Sequence, residues 1–403
     1  MVKKRFLIGT FIVPIFLLLT GCETRGISNN NVLANNNSVS NSPSTHISKM
    51  SFKMSFVYQP PHMWNSTQGW VITGSTTQLS NLFVTNDGGV NWKNISPALQ
   101  FYYKGTGAFY NQSFGWFVEL DPGQQFIVER TTDGGRTWTS SSPVATPYGD
   151  GKMQIDRISK EVGYIAIGSA GMTNPPSALY RTTDGGKTWV RLPNTPTSGK
   201  IKFISSLNGW LSGWNFTPND LLKKRTGHTG QGYTWLYKTK NEGKSWNRVQ
   251  LPVPISLRSD WISGENLFFH AQWGAVVFYF SGNSGTNDVY KLYVTNDGGR
   301  NWSIYDLPMT PNEGIQGSLD LQFVSNSIGY LQVYTPRKNS SLPGTLQWFQ
   351  TVNGGRTWLR LSTGLPMDAS IRFQSSEFWL AVNHSELLKT QTAGRSWIKI
   401  YNK

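Results

Sequence analysis

The chain has 403 residues, a formal net charge of +15, 15 % charged residues and 13 % aromatic residues. Its single cysteine excludes an internal disulfide framework, and the five histidines, His46, His62, His228, His270 and His384, show no metal-ligand spacing. The basic excess favours acidic partners, but no basic run is interleaved with base-stacking aromatics, so nucleic acid is not expected as a partner.

In chain order, Lys3, Lys4 and Arg5 precede an apolar run from Phe6 to Leu19. A basic start, a short apolar core and small residues beyond it predict a secretory signal over residues 1–21. The run is too short, and broken by Pro14, for a good transmembrane helix. Leu19-Thr20-Gly21-Cys22 resembles a bacterial lipobox, which implies cleavage before Cys22 and acylation of its thiol. Removing the three basic signal residues leaves +12 on the mature chain. Residues 23–49 are rich in Asn, Ser and Thr, as in Asn29–Asn31 and Asn35–Asn37. They cannot bury enough apolar surface to fold and would act as a tether on the order of 30 Å long. Residues 51–57 (SFKMSFV) alternate apolar and polar and are expected to add an edge strand that clasps the last blade of the domain that follows.

From there an eight-residue turn recurs seven times: TNDGGVNW (85–92), TTDGGRTW (131–138), TTDGGKTW (182–189), TKNEGKSW (239–246), TNDGGRNW (295–302), TVNGGRTW (351–358) and TQTAGRSW (390–397). Its third place holds Asp87, Asp133, Asp184, Asn241, Asp297, Asn353 and Thr392. Its last place holds Trp92, Trp138, Trp189, Trp246, Trp302, Trp358 and Trp397. Successive tryptophans stand 46, 51, 57, 56, 56 and 39 residues apart, the length of a four-stranded propeller blade. The composition explains the turn. Asp or Asn accepts bonds from nearby backbone N–H groups, glycine supplies positive φ, and the Trp buries its ring between blades. These carboxylates are read as structural, since Asp and Asn interchange at the same place.

A second marker precedes each turn: Gly69-Trp70, Gly115-Trp116, Gly163-Tyr164, Gly209-Trp210, Leu267-Phe268, Gly329-Tyr330 and Phe378-Trp379. The distance from marker to turn Trp varies from 18 to 36 residues, so insertions gather between the second and third strands. The expected architecture is all-β, a seven-bladed β-propeller of four-stranded antiparallel blades over residues 50–403, with one such turn per blade.

The turn resembles the Asp-box, or BNR repeat, of sialidases and sortilin-type propellers. Paired with the Gly-Trp strand, it most closely resembles the photosystem II stability and assembly factor family of seven-bladed propellers. With that likeness, the expected role is a non-catalytic, membrane-tethered scaffold or assembly factor; the lipobox resemblance implies that it is exported and lipid-anchored to the bacterial cell membrane, and a monomer without cofactor or metal is expected. The candidate binding face carries the strand two–three insertions. Gly213–Tyr233 brings Trp214, Lys223, Lys224 and Arg225, Thr335–Leu346 brings Arg337 and Lys338, and Ser281–Asp288 adds a third. Aromatics beside cations suit an acidic protein in or near the membrane. The alternative is a cell-wall or exogenous glycan, with sialidase-like glycosidase activity a distant third. A sialidase arginine ahead of the first turn is missing, because no arginine stands between Arg25 and Arg130. The lipobox reading predicts that Cys22→Ser abolishes acyl-label incorporation and releases the protein from the membrane fraction.

Overall fold

The computed structural model describes residues 61–402 except 76–77, 99–103, 122, 149–151, 169–175, 215–235, 255–260, 271, 282–288, 309–317, 336–344, 363–368 and 383–385. Cys22, the tether and the strand expected over 51–57 lie outside the described residues. Seven antiparallel sheets follow one another, each a meander with its strands in chain order. Blade one comprises His62–Met63, Gly69–Ser75, Gln78–Thr85 and Lys93–Asn94. Blade two comprises Lys104–Phe109, Gly115–Asp121, Gln125–Thr131 and Thr139–Ser140, with Val144–Ala145 added to its third strand. Blade three comprises Lys152–Arg157, Gly163–Gly168, Ala178–Thr182 and Val190–Leu192; blade four, Ser198–Phe203, Gly209–Trp214, Leu236–Thr239 and Asn247–Arg248. Blade five comprises Trp261–His270, Trp273–Ser281, Val289–Thr295 and Ser303–Asp306; blade six, Ser318–Phe323, Gly329–Thr335, Thr345–Thr351 and Leu359–Leu361. Ser370–Phe373, Trp379–Val382, Glu386–Thr390 and Ile398–Asn402 form blade seven. From blade two to blade seven the first strands of successive blades touch one another, so they surround the axis and the fourth strands form the rim.

The eight-residue turn joins strands three and four in every blade, and one hydrogen-bond pattern holds it. In blade two the Thr131 hydroxyl donates to Asp133 Oδ1 at 2.8 Å and accepts from Gly135 N at 2.7 Å. Asp133 Oδ1 accepts from Arg136 N and Thr137 N, each at 3.0 Å, while Oδ2 accepts from the Thr137 hydroxyl at 2.6 Å. These bonds, led by that of the Thr137 hydroxyl, hold the Asp133 carboxyl down at about 2. Its contribution to stability is therefore present above the usual carboxylate range and is lost as pH falls toward 2. In the Asn turns the side-chain amide donates instead, Asn241 to Ser245 Oγ and Asn353 to Thr357 Oγ1, both at 2.8 Å. A hydroxyl can reverse its role and an amide cannot, so both residue types fit one backbone.

Each turn is also tied to the loop between strands one and two of its own blade. The fourth-place N–H donates to a carbonyl there in all seven copies: Gly88 to Thr67, Gly134 to Ser113, Gly185 to Glu161, Glu242 to Leu207, Gly298 to Gln272, Gly354 to Ser327 and Ala393 to Glu377. The backbone makes this bond, so the fourth side chain is free to vary even at positive φ, as at Glu242 (φ 67) and Ala393 (φ 53). The fifth place is glycine throughout. At Gly299 a Cβ would collide with the Trp210 ring of the preceding blade, and at Gly355 with Leu292 of the preceding blade.

The marker aromatics form the inter-blade core. Trp116, Tyr164, Trp210, Tyr330 and Trp379 are essentially inaccessible, whereas of the turn tryptophans only Trp189 is buried and the others are half-buried. The rings assigned to inter-blade burial from sequence are thus secondary to the marker rings. A marker ring stacks on the aromatic at or next to the end of the first strand of the next blade: Tyr164 on Phe203 with centroids 3.4 Å apart, Trp210 on Phe269 at 3.9 Å and Tyr330 on Phe373 at 4.0 Å. In blade three the terminal residue is Arg157, and its guanidinium sits 4.2 Å over the Trp116 ring. The Leu267-Phe268 marker needs correction. It lies on the first strand of blade five, and the register places Gly274 opposite Thr295, where Gly163 stands opposite Thr182 in blade three. Blade seven packs on blade one through Val382, Leu387 and Ile400 against Val71 and Phe83.

The fourth and fifth turn positions should respond differently to a methyl group. Gly299→Ala is expected to cost roughly 2–4 kcal/mol from positive φ plus overpacking, and Gly354→Ala about 1 kcal/mol from φ alone; urea unfolding of the two variants measures the difference.

Candidate functional site

In a four-stranded meander the strand one–two and three–four loops leave at one end, and the strand two–three loops and blade-to-blade connections at the other. The turns with Asp87, Asp133, Asp184 and Asp297 occupy the first end. Each of these carboxylates accepts bonds within its own turn, which leaves them poorly placed for acid–base work. Trp214 ends the second strand of blade four, opposite Ser198, at the second end. Its side chain lies outside the described residues, as do Lys223, Lys224, Arg225, Arg337 and Lys338, so the structure neither joins nor separates that cluster.

The described part of the candidate site is the axial surface. Residues of the first strands alternate: Met153 and Ile155 pack into the core, while Lys152, Gln154 and Asp156 take the other face. Gln154 accepts from Ile201 N at 3.0 Å and donates to Gly199 O at 2.7 Å, so one side-chain amide continues the ladder into the next blade. Gln322 does the same one interface from the seam, donating to Ile371 O at 2.8 Å and accepting from Phe373 N at 3.2 Å. Asp156 accepts from Phe203 N at 2.7 Å and pairs with Lys202 Nζ at 2.7 Å. At the seam, Gln374 Nε2 donates to Pro61 O at 3.3 Å, and Arg372 Nη1 lies 3.1 Å from His62 Nδ1. His62 stacks on Trp70 with centroids 4.3 Å apart and an interplanar angle of 3°. Burial first, and the Arg372 charge second, push its pKa down to about 3. A neutral His62 can accept from Arg372.

Lys152, Lys200, Lys202 and Asp320 are exposed, and Asp320 accepts from Gln322 Nε2 at 2.9 Å. Glu265 lies on the first strand of blade five where the register slips between Gly264 and Leu267, a bulge of the kind common beside active sites. Glu119 and Glu129 are buried on the second and third strands of blade two, away from the axis, and Ser140 Oγ donates to Glu129 at 2.8 Å. Among the described residues no group of three or more His, Cys, Asp or Glu could hold a metal ion. Sequence reasoning missed Gln154, Asp156, Gln322, Arg372 and His62. Their signal is the alternation in KMQIDR (152–157), SLDLQF (318–323) and SIRF (370–373).

A family model described as "Sortilin, neurotensin receptor 3" matches residues 177–306, less than half of the chain, and with the fold marks an Asp-box-type seven-bladed propeller. The chain is 26 % identical over 154 residues to xyloglucanase Xgh74A of Acetivibrio thermocellus. The match takes in 38 % of this chain and 17 % of that enzyme, so the chain spans less than a fifth of its relative. Among solved structures, a polysaccharide lyase family 25 ulvan lyase bound to -[GlcA(1-4)Rha3S]- superposes with a TM-score of 0.50 at 12 % identity, over 86 % of this chain and 93 % of that one. The GH74 enzyme of Niastella koreensis gives 0.43 at 12 % identity, over 86 % and 67 %. The structural likenesses speak to fold alone.

The expectation of a non-catalytic scaffold or assembly factor is corrected by these comparisons. A sequence relative of named activity is a xyloglucanase. The expectation that the chain is not an enzyme falls with it. Its physical basis was sound only for the turns, whose carboxylates are consumed in folding.

The seam carries a pH dependence with a definite sign. His62 is held neutral in the fold but protonates in the unfolded chain near 6.5, so the unfolded state binds the extra proton and stability falls as pH drops from about 6.5 toward 3. His62→Gln is expected to flatten that part of a Tm-versus-pH curve, and an unchanged curve would remove His62 as its source.

Proposed function

We propose that this propeller is a glycoside hydrolase acting on a polysaccharide at its axial surface and the loop end around it. The observation that supports the reading most is the 154-residue relation to a xyloglucanase. The axial geometry agrees with it. An axis with open polar groups at one end can seat an extended chain, and insertions at that end, with Trp214, Lys223, Lys224, Arg225, Arg337 and Lys338, would add stacking and charged contacts to sugars. Glycoside hydrolysis needs two carboxyl groups, one protonating the leaving oxygen and the other acting as nucleophile or base, about 5–9.5 Å apart. Asp156 is bound to Lys202 and a backbone N–H and is unsuited to giving up or taking a proton. Asp320 and Glu265 belong to first strands of adjacent blades that touch one another; the Glu265 side chain lies outside the described residues, and we propose the two as the acid–base pair from their place in these strands.

An anchor at Cys22 with the 23–49 tether would place the enzyme outside the cytoplasm, where wall or exogenous glycan is the available polymer. The finer kinship with photosystem II stability factors stands here as a likeness of fold, without the assembly role.

The test is release of reducing ends from purified polysaccharides, xyloglucan first. Asp320→Asn and Glu265→Gln are each expected to lower turnover by about 100-fold or more with melting temperatures unchanged. Full activity in both variants would remove these carboxylates from the mechanism, and inactivity of the wild-type chain on every polymer would remove the hydrolase reading.

A further inference from the structure

The sixth place of the repeated turn is a cation in six of its seven copies: Arg136, Lys187, Lys244, Arg300, Arg356 and Arg395, all of them exposed. In blades two, three and five the third place is an aspartate, so each turn carries its own counter-charge, and in blade four Glu242 pairs with Lys244 at 2.8 Å. Blades six and seven differ. Their third places are Asn353 and Thr392, and neither turn holds a carboxylate beside Arg356 or Arg395. These two blades and blade one, their neighbour across the seam, also expose large apolar side chains at the turn end. Val352 (66 %) lies in the turn of blade six and Val90 (51 %) in that of blade one, while Leu359 (70 %) and Ile398 (57 %) directly follow the turn tryptophans of blades six and seven. The turns of blades seven and one are close neighbours. A Cβ at Gly88 in the turn of blade one would meet Lys389 Nζ of blade seven at 3.1 Å, and one at Gly89 would meet Ile400 Cδ1 at 3.2 Å. Elsewhere at this end, Tyr110, Val190 and Leu207 stand singly on blades two, three and four, as scattered surface residues do.

We propose that the turn end of blades six, seven and one docks on the surface of an anionic lipid bilayer. The proposal is independent of the hydrolase reading. Aliphatic side chains left in water by the fold can enter the headgroup boundary, while the guanidinium groups of Arg356, Arg360 and Arg395 stay at the level of the lipid phosphates. The charge balance of the sector favours this. Among the described residues its carboxylates at the turn end are Asp87 and Glu377, and Asp87 accepts from Asn91 N and Asn91 Nδ2 within its own turn. Against them stand Lys93, Arg356, Arg360, Lys389 and Arg395, with Lys399 paired to Glu386. A bilayer is an extended surface and asks for no fixed spacing between cations, whereas a discrete anionic ligand does. The proposed anchor at Cys22 belongs to the chain ahead of Pro61, and that chain joins the ring in this sector, where Pro61 O accepts from Gln374 of blade seven. Docked in this way, the domain would turn its insertion-bearing end away from the membrane.

Co-sedimentation with vesicles tests the idea, using the mature chain from residue 22 with Cys22→Ser so that no acyl group contributes. The protein should sediment with vesicles containing phosphatidylglycerol, less so at high salt, and stay in solution with phosphatidylcholine alone. Arg356→Gln/Arg395→Gln should bind at least about tenfold more weakly. Leu359→Ser/Ile398→Ser should lose about tenfold as well, with the melting temperature unchanged. The same loss of charge on other blades, Arg136→Gln/Lys187→Gln, should leave binding intact. Equal loss in the two charge variants would show general attraction and overturn the choice of sector. Unchanged binding after Leu359→Ser/Ile398→Ser would overturn entry into the headgroup boundary. Failure to sediment with either vesicle, together with retention on immobilised polyglycerol phosphate, would give this face to a wall polyanion and overturn the lipid surface; failure on both would overturn it equally.

Discussion

Each blade of this ring is a sheet with two apolar faces, and neither can be left to water. The constraint is met by a repeated contact, the aromatic near the start of a second strand stacking on the residue at or next to the end of the next blade's first strand. Tyr164 on Phe203, Trp210 on Phe269 and Tyr330 on Phe373 are three instances, and Arg157 over Trp116 is the same contact with a cation replacing a ring. No blade buries this surface alone, which is the energetic logic of a repeat protein. The turns and the axial side chains refine an arrangement that this stack dictates.

The turn chemistry was largely legible because it is local. A Thr two residues ahead of an Asp, with glycine two further on, already specifies which hydroxyl donates and which N–H is received. The stack was half legible. The Gly-Trp pair stood out, but its partner did not, although Phe109, Phe203 and Phe323 each stand six residues before a marker glycine. The spacing is regular, yet the contact crosses from one blade to the next, and nothing within a single repeat says so. In blade five the pattern misled outright, because Leu267-Phe268 has the apolar character of a marker and sits one strand too early. The register, set by Gly274 opposite Thr295, decides the matter.

The site was the least legible part, for a related reason. Carboxylates fixed in seven copies of a turn are visibly structural, and it was natural to extend that reading to the whole chain. Lack of a sialidase-type arginine excludes one chemistry and leaves others untouched. The groups that matter at the axis are single residues on first strands, drawn from seven blades by closure of the ring and separated by about fifty positions in sequence. Some of them stitch and some stay open: Gln154 and Gln322 mimic a backbone ladder, while Lys152 and Asp320 do not. Only the cross-blade geometry distinguishes the two kinds.

The fifth-place glycines give the ring a direction. Gly299 rests on Trp210 and Gly355 on Leu292, in each case on the blade that precedes it, and each first strand likewise completes a surface already laid down. A blade emerging during synthesis therefore finds its docking surface finished and waiting, so the sheets can be added in order of appearance. The last blade alone faces surfaces on both sides, and the joint it forms with the first is the step at which a growing arc becomes a ring.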